Sequence, residues 1–276
     1  MEWTVKLAAA VTVGMLAWTQ VDAQERVPDA GMLDVRDFVP DLDGVCGLGQ
    51  TMSAGCDAIR EREIVDAAAE PWRAVGRVNF AGMRTRQHCT GTLVAEDVVL
   101  TAAHCLYSFA RKAWMKPGSV TFVAGFQRGT GLAVSRGVRF VLNPAEDAAT
   151  RDFRSRSHQD WALLVLEEPI GAEVGYLDLT GESADAYVLA GYAGVRPNVL
   201  SVAHDCGAPR ADLSGVLVQS CSAMPGDSGG PLLAVGDDGY TVAGVFSSIV
   251  GGPSGTASLA VAAGEFSEAV AGISGH

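Results

Sequence analysis

The run Gly226-Asp227-Ser228-Gly229-Gly230-Pro231 sets a serine among glycines. A serine hydroxyl is a weak nucleophile until a base takes its proton and N–H donors stabilise the oxyanion that its attack creates. Glycines beside it let the backbone turn sharply and bring N–H groups against a substrate carbonyl. Two upstream residues have surroundings that suit the remaining roles. His104 ends the apolar run Leu100-Thr101-Ala102-Ala103-His104-Cys105 and can act as a base. Asp160 leads the run Asp160-Trp161-Ala162-Leu163-Leu164 and can orient an imidazole. The three side chains together define acyl-transfer chemistry.

The order of these residues separates two readings. Gly226 to Gly230 also matches G-x-S-x-G, the nucleophile elbow of α/β-hydrolases, whose acid and histidine follow the serine. Here the only later histidine is His276, the final residue. The order His104, Asp160, Ser228 is instead that of chymotrypsin, and from about Ile64 to the C-terminus the chain resembles the chymotrypsin/trypsin family. Cys89-Thr90-Gly91-Thr92-Leu93-Val94 is similar to the family strand that precedes the histidine, and Ala190-Gly191-Tyr192 is similar to a strand of the second barrel. The resemblance implies a serine endopeptidase with Ser228 as nucleophile, His104 as general base and acid, and Asp160 as the group that orients the imidazole. It also implies an oxyanion hole from the N–H groups of Gly226 and Ser228, and a Cys89–Cys105 disulfide. Ser247, in Gly244-Val245-Phe246-Ser247, looks like the family serine beside the catalytic aspartate on the strand that binds extended substrate. A homologue that keeps these residues and only binds is the rival within the same fold.

The stretch from Cys206 to Cys221 and on through Ser222-Ala223-Met224-Pro225-Gly226 is closest in pattern to secreted bacterial members related to glutamyl endopeptidase, and a Cys206–Cys221 bridge would brace the specificity pocket. Trypsin carries an aspartate where this chain has Ser222, a substrate-binding position. Glutamyl endopeptidases carry a histidine where it has Phe246. The pattern therefore implies a small or apolar residue before the cleaved bond. Trypsin-like zymogens are cut to free an amine that pairs with the aspartate before the nucleophile. Asp227 is present, and Ile64-Val65-Asp66 after Arg62-Glu63 offers a candidate new terminus, without the usual glycines.

Elements must hold these residues. From Trp72 onward, short apolar runs alternate with turn residues, from residues 74–80 to residues 257–261, as in an all-β barrel or sandwich. The resemblance sharpens this to two packed antiparallel six-stranded β-barrels, about 64–168 and 172–262, inside a peptidase domain of 64–276. Phe266, Val270 and Ile273 recur at helical spacing, which predicts a short C-terminal helix within 262–274.

The chain has 276 residues, 48% of them apolar, and 33 glycines, a globular composition rich in turns. Its net charge of −12 disfavours nucleic acid and anionic membranes as partners. Residues 1–23 read as a secretory signal: Lys6, an apolar run from Leu7 to Trp18, and small residues ending at Ala23. That run is shorter than the about 20 residues a membrane span needs. The expected product is a secreted monomer, extracellular or periplasmic, acting on protein or peptide substrates without cofactor or metal and free of the membrane once the signal is removed. Six cysteines in three sequential pairs suit disulfides in an oxidising compartment. Cys46 and Cys56 enclose a loop-like stretch in residues 24–63, read as a propeptide or N-terminal extension closed by a Cys46–Cys56 bridge. His88, His158 and His204 read as structural or surface residues. Glu146, Asp147 and Asp152 read as a solvated acidic face.

Overall fold

A computed structural model describes residue 1 and residues 54–81, 86–154, 156–212, 214–252 and 255–274. The expected signal segment, the Cys46–Cys56 bridge and His276 lie outside the described residues.

The described chain begins with helix α1 (Ala54–Glu61) and a short strand β1 (Glu63–Ile64). Six strands then close a barrel: β2 (Val75–Ala81), β3 (Arg86–Leu93), β4 (Val98–Thr101), β7 (Val120–Ala124), β8 (Ala133–Leu142) and β9 (Ala162–Leu166), in the order β2-β3-β4-β9-β8-β7. A small hairpin, β5 (Tyr107–Ser108) with β6 (Ala113–Trp114), stands apart from it. Every residue of β4 and β9 is buried, which accounts for their largely apolar sequences. A strand covered on both faces keeps a polar side chain only where its hydrogen bond is met, as Thr101 of β4 does by donating its hydroxyl to the Thr90 carbonyl. The two pair directly, Leu100 opposite Leu163 and Thr101 opposite Ala162. Residues 103–106 and 160–161, which flank them, are thereby brought to one end of the barrel.

After a single turn of helix, α2 (Gly171–Val174), the second half is one antiparallel sheet. Its strands are β10 (Ala186–Gly191), β11 (Ser201–Ala203), β12 (Arg210–Ala211), β13 (Val216–Gln219), β14 (Pro231–Gly236), β15 (Gly239–Gly252) and β16 (Gly255–Ala262), in the order β1-β11-β10-β14-β15-β16-β13-β12. The expected six strands of this half are present, and the two-residue strands β1 and β12 extend the sheet at either end, so it has eight. Neither addition has a legible pattern, because two residues carry no periodicity. β1 comes from ahead of residue 64: Glu63 and Ile64 pair with Val202 and Ser201 of β11.

One apolar core runs from the barrel into the sheet, joining residues such as Leu100, Leu163 and Phe122 to Ala190, Leu233 and Val245. A second cluster under the sheet contains Leu189, Phe246, Met224 and, from α1, Ile59. The predicted C-terminal helix is present as α3 (Ser267–Ser274) after a 3-10 turn, with Phe266 and Val270 buried. Phe266 packs on Trp161 at a ring separation of 5.9 Å, behind Asp160. Among the described residues no helix is long and apolar enough to cross a membrane.

Candidate active site

His104 sits in a 3-10 turn (Ala103–Leu106) that follows β4, and a disulfide from Cys89 of β3 to Cys105 ties that turn to the barrel. Asp160 immediately precedes Trp161 and β9 and is wholly buried. Its Oδ1 accepts the backbone N–H of His104 at 2.9 Å. Its Oδ2 lies 2.7 Å from His104 Nδ1 and accepts the Ser247 hydroxyl at 2.6 Å. An ionised carboxylate only accepts, so the proton of this contact belongs on Nδ1, which leaves Nε2 of the neutral ring free to take another. Burial pushes the Asp160 carboxyl up. The charge of His104 and the hydrogen bonds from its ring, from Ser247 and from the His104 N–H outweigh that and hold it below the ordinary carboxylate value.

Ser228 is buried in the turn that leads into β14. Its carbonyl accepts the Thr90 N–H at 2.9 Å and lies 3.7 Å from Cys105 Sγ, one residue from His104. The turn is fixed by its peptide planes. The Pro225 carbonyl accepts the Gly194 N–H at 2.7 Å, and the Asp227 carbonyl accepts the Gly230 N–H at 2.7 Å. Both peptides are trans, so the N–H groups on their far sides, those of Gly226 and Ser228, point away from these partners. Among the described residues no acceptor takes either N–H. Gly226 has φ of +100° and Gly229 of +79°, conformations that favour glycine. A Cβ on Gly229 would overlap Thr101 Oγ1 and the Thr90 carbonyl oxygen.

Of the two expected substrate-binding serines, Ser247 turns its hydroxyl to Asp160. Ser222 donates its hydroxyl to Asp205 Oδ2 at 2.5 Å and its N–H to both Asp205 oxygens at 3.2 Å. A disulfide joins Cys206 to Cys221, next to this pair. Phe246 is fully buried, with its backbone paired to Gly229 and Gly230.

Several participants gave no sequence signal. Thr90 receives the Tyr192 N–H on its hydroxyl and donates that hydroxyl to the Gly226 carbonyl. Asp205 is an unremarkable acid before a cysteine. Arg62 is nearly fully buried and forms a two-pronged ion pair with Asp227. Ile64 is exposed on β1. His88, read as structural, hydrogen-bonds through Nε2 to the Tyr192 carbonyl at 3.1 Å. Burial, and next the nearby Arg77, push its pKa down. His204 pairs with Glu63 at the surface. In the acidic loop, Asp147 Oδ1 caps its own backbone and Asp152 meets Arg154. The one grouping of metal-type ligands among the described residues is His104 with Cys89 and Cys105, and those sulfurs are bonded to each other.

The family described as Trypsin matches residues 62–194, a span that holds His104 and Asp160. A Glu endopeptidase in complex with MPD is similar in structure at 21% identity and TM-score 0.61, over 78% of this chain and 97% of that one. A thermostable serine protease, AL20, from an extremophilic microorganism follows at 19% identity and TM-score 0.55, over 71% and 94%. The protease Anisep from Arthrobacter nicotinovorans gives 21% and 0.52, over 69% and 90%. Residues 62–194 thus match the trypsin family, and the described chain has the chymotrypsin-like fold of these serine proteases.

Proposed function

We propose that the protein is exported and cleaves peptide bonds through an acyl-enzyme formed on Ser228, with His104 and Asp160 completing the triad. The reading rests on one observation: a fully buried carboxylate takes the His104 ring, the His104 N–H and the Ser247 hydroxyl at once. Burying an ionised carboxyl is unfavourable unless its lone pairs are met, and here they are met in the way that directs Nε2 outward as a base. Ser228 Oγ attacks the scissile carbonyl carbon while His104 Nε2 takes its proton, and the carbonyl π pair moves to oxygen. The N–H groups of Gly226 and Ser228 receive that oxyanion. As it collapses, the C–N bond breaks, and the amine leaves with the proton from His104. Water then repeats the sequence on the ester, releasing the acid and restoring the Ser228 hydroxyl. No cofactor enters these steps.

Substrate runs along β15 near Ser247. Ser222 and Phe246, in place of the aspartate of trypsin and the histidine of glutamyl endopeptidases, favour a small or apolar residue before the cut. Export is supported by the signal-like residues 1–23 and by disulfides in the folded body. The test is labelling by a fluorophosphonate together with casein digestion, for wild type and Ser228→Ala. Labelling and proteolysis are expected in wild type and absent in the variant. A wild type that does not label would make this fold a binding module.

A further inference from the structure

The segment just ahead of residue 64 reaches into the second half of the molecule. Ile59 of α1 is fully buried in the cluster under the sheet. Arg196 Nη2 then donates to the carbonyls of Ile59 and Arg62, at 2.6 and 3.1 Å. Between these anchors the Arg62 side chain turns inward. Its Nη1 meets Asp227 Oδ1 at 2.9 Å, its Nη2 meets Asp227 Oδ2 at 3.0 Å, and Nη2 also donates to the Ser222 carbonyl. Asp227 is fully buried, and its Oδ2 further accepts the Met224 N–H at 2.9 Å. Immediately afterwards, β1 is zipped to β11 and Val65 N–H reaches the Leu200 carbonyl.

We propose that Arg62 is the positioning residue for the oxyanion hole: its guanidinium holds Asp227, and through it the Gly226–Ser228 turn, so that the chain is competent with residues 54–62 attached. The inference rests on the oxyanion-hole assignment made above. A new amine at Ile64 is not required. To reach Asp227 it would have to leave β11 and displace a forked donor that already fills both carboxylate oxygens. The carboxylate sits on the residue between the two free N–H groups, so its fixation sets both peptide planes. Cutting at Glu63–Ile64 would detach Arg62 and its helix from the body and slacken that turn.

The charged groups around the pair are Arg196 from the loop after β10, His88 from β3 and Arg77 of β2 beside it. Glu63 and His204 pair with one another outside it. A guanidinium keeps its charge at strongly alkaline pH, whereas a lysine ammonium gives up its proton near about pH 10 or above.

Fluorophosphonate-labelled protein from the full chain is sequenced from its N-terminus, alongside Arg62→Gln, Arg62→Lys and a Ser228→Ala control. The labelled species is expected to start ahead of Arg62. Arg62→Gln is expected to lose on the order of 10²- to 10³-fold in kcat, as for loss of an oxyanion donor, with a smaller change in KM. Arg62→Lys is expected to recover part of that near neutral pH, because the ammonium also pairs with a carboxylate, and to lose it only above about pH 10. Labelling confined to a species beginning at Ile64 would overturn the proposal and leave the enzyme reading intact. So would Arg62→Gln protein that unfolds earlier yet turns over at the wild-type kcat. Absence of label in every species would overturn both readings. The wild-type sequencing decides even if Arg62→Gln fails to fold.

Discussion

The hydroxyl of Thr90, on a strand of the closed barrel, donates to the carbonyl of Gly226, in the Ser228 turn of the other half, at 2.8 Å. The same oxygen accepts the Tyr192 N–H at 3.0 Å, and the Thr90 N–H meets the Ser228 carbonyl. One residue of the half that carries His104 thus sets the height and tilt of the turn that carries Ser228.

Thr90→Val keeps the shape and removes that hydroxyl. It leaves a buried Gly226 carbonyl and Tyr192 N–H without their partner, which is expected to cost about 1–3 kcal/mol of stability. Because the Gly226 peptide is loosened, kcat is expected to fall roughly tenfold, in line with a shifted oxyanion donor. Urea unfolding and steady-state kinetics on a peptide ester read the two effects separately. Unchanged kcat would show that the other contacts suffice to hold the turn.

Asp160 gives a pH dependence with a definite sign. Its carboxyl is held below the ordinary value in the fold, so the unfolded chain binds more protons between the two values. Its contribution to stability is fully present above the unfolded carboxylate value of about 3.9 and is lost as pH falls through the lower folded value. The stability difference between wild type and Asp160→Asn is therefore expected to shrink below about pH 4. At neutral pH the variant is expected to lose on the order of 10⁴-fold in kcat, because an amide can donate to Nδ1 and place the ring proton on the wrong nitrogen. Ser247→Ala should move in the same direction by far less, since two donors to the carboxylate remain.

Gly229→Ala tests the geometry of the turn. A Cβ at positive φ would overlap Thr101 Oγ1 and the Thr90 carbonyl oxygen, and both belong to buried residues. Strain and displacement together are expected to destabilise the fold by about 3 kcal/mol or more, read as a lower urea midpoint with unchanged slope. Little change would mean that the two strands yield at this point.

Residue order carries the proposed triad, since His104, Asp160 and Ser228 stand in runs whose local chemistry suits those roles. The apolar strands announce themselves: residues 120–124 and 162–166 are strands at the expected bounds. The additions did not show. β1, β5, β6 and β12 have two residues each, too few for a pattern, and α1 begins only two residues before Cys56, in a stretch read as loop. Arg62 carries no such signal, because in the alternating run Arg60-Glu61-Arg62-Glu63 each charge looks solvated.

The sequence by itself determined the all-β body through its short apolar runs, and the order His104, Asp160, Ser228 carries the proposed chemistry, since a candidate nucleophile, base and acid in that order leave few ways to combine them. Only the tertiary structure decided who partners whom. Asp227 faces Arg62 rather than Ile64 because α1 buries Ile59 and β1 pairs with β11, which turns the guanidinium inward. Ser222 meets Asp205 because the Cys206–Cys221 bridge closes that loop beside it. Such contacts, between residues up to 165 positions apart, depend on packing and hydrogen-bond satisfaction across the whole fold, to which local pattern is blind.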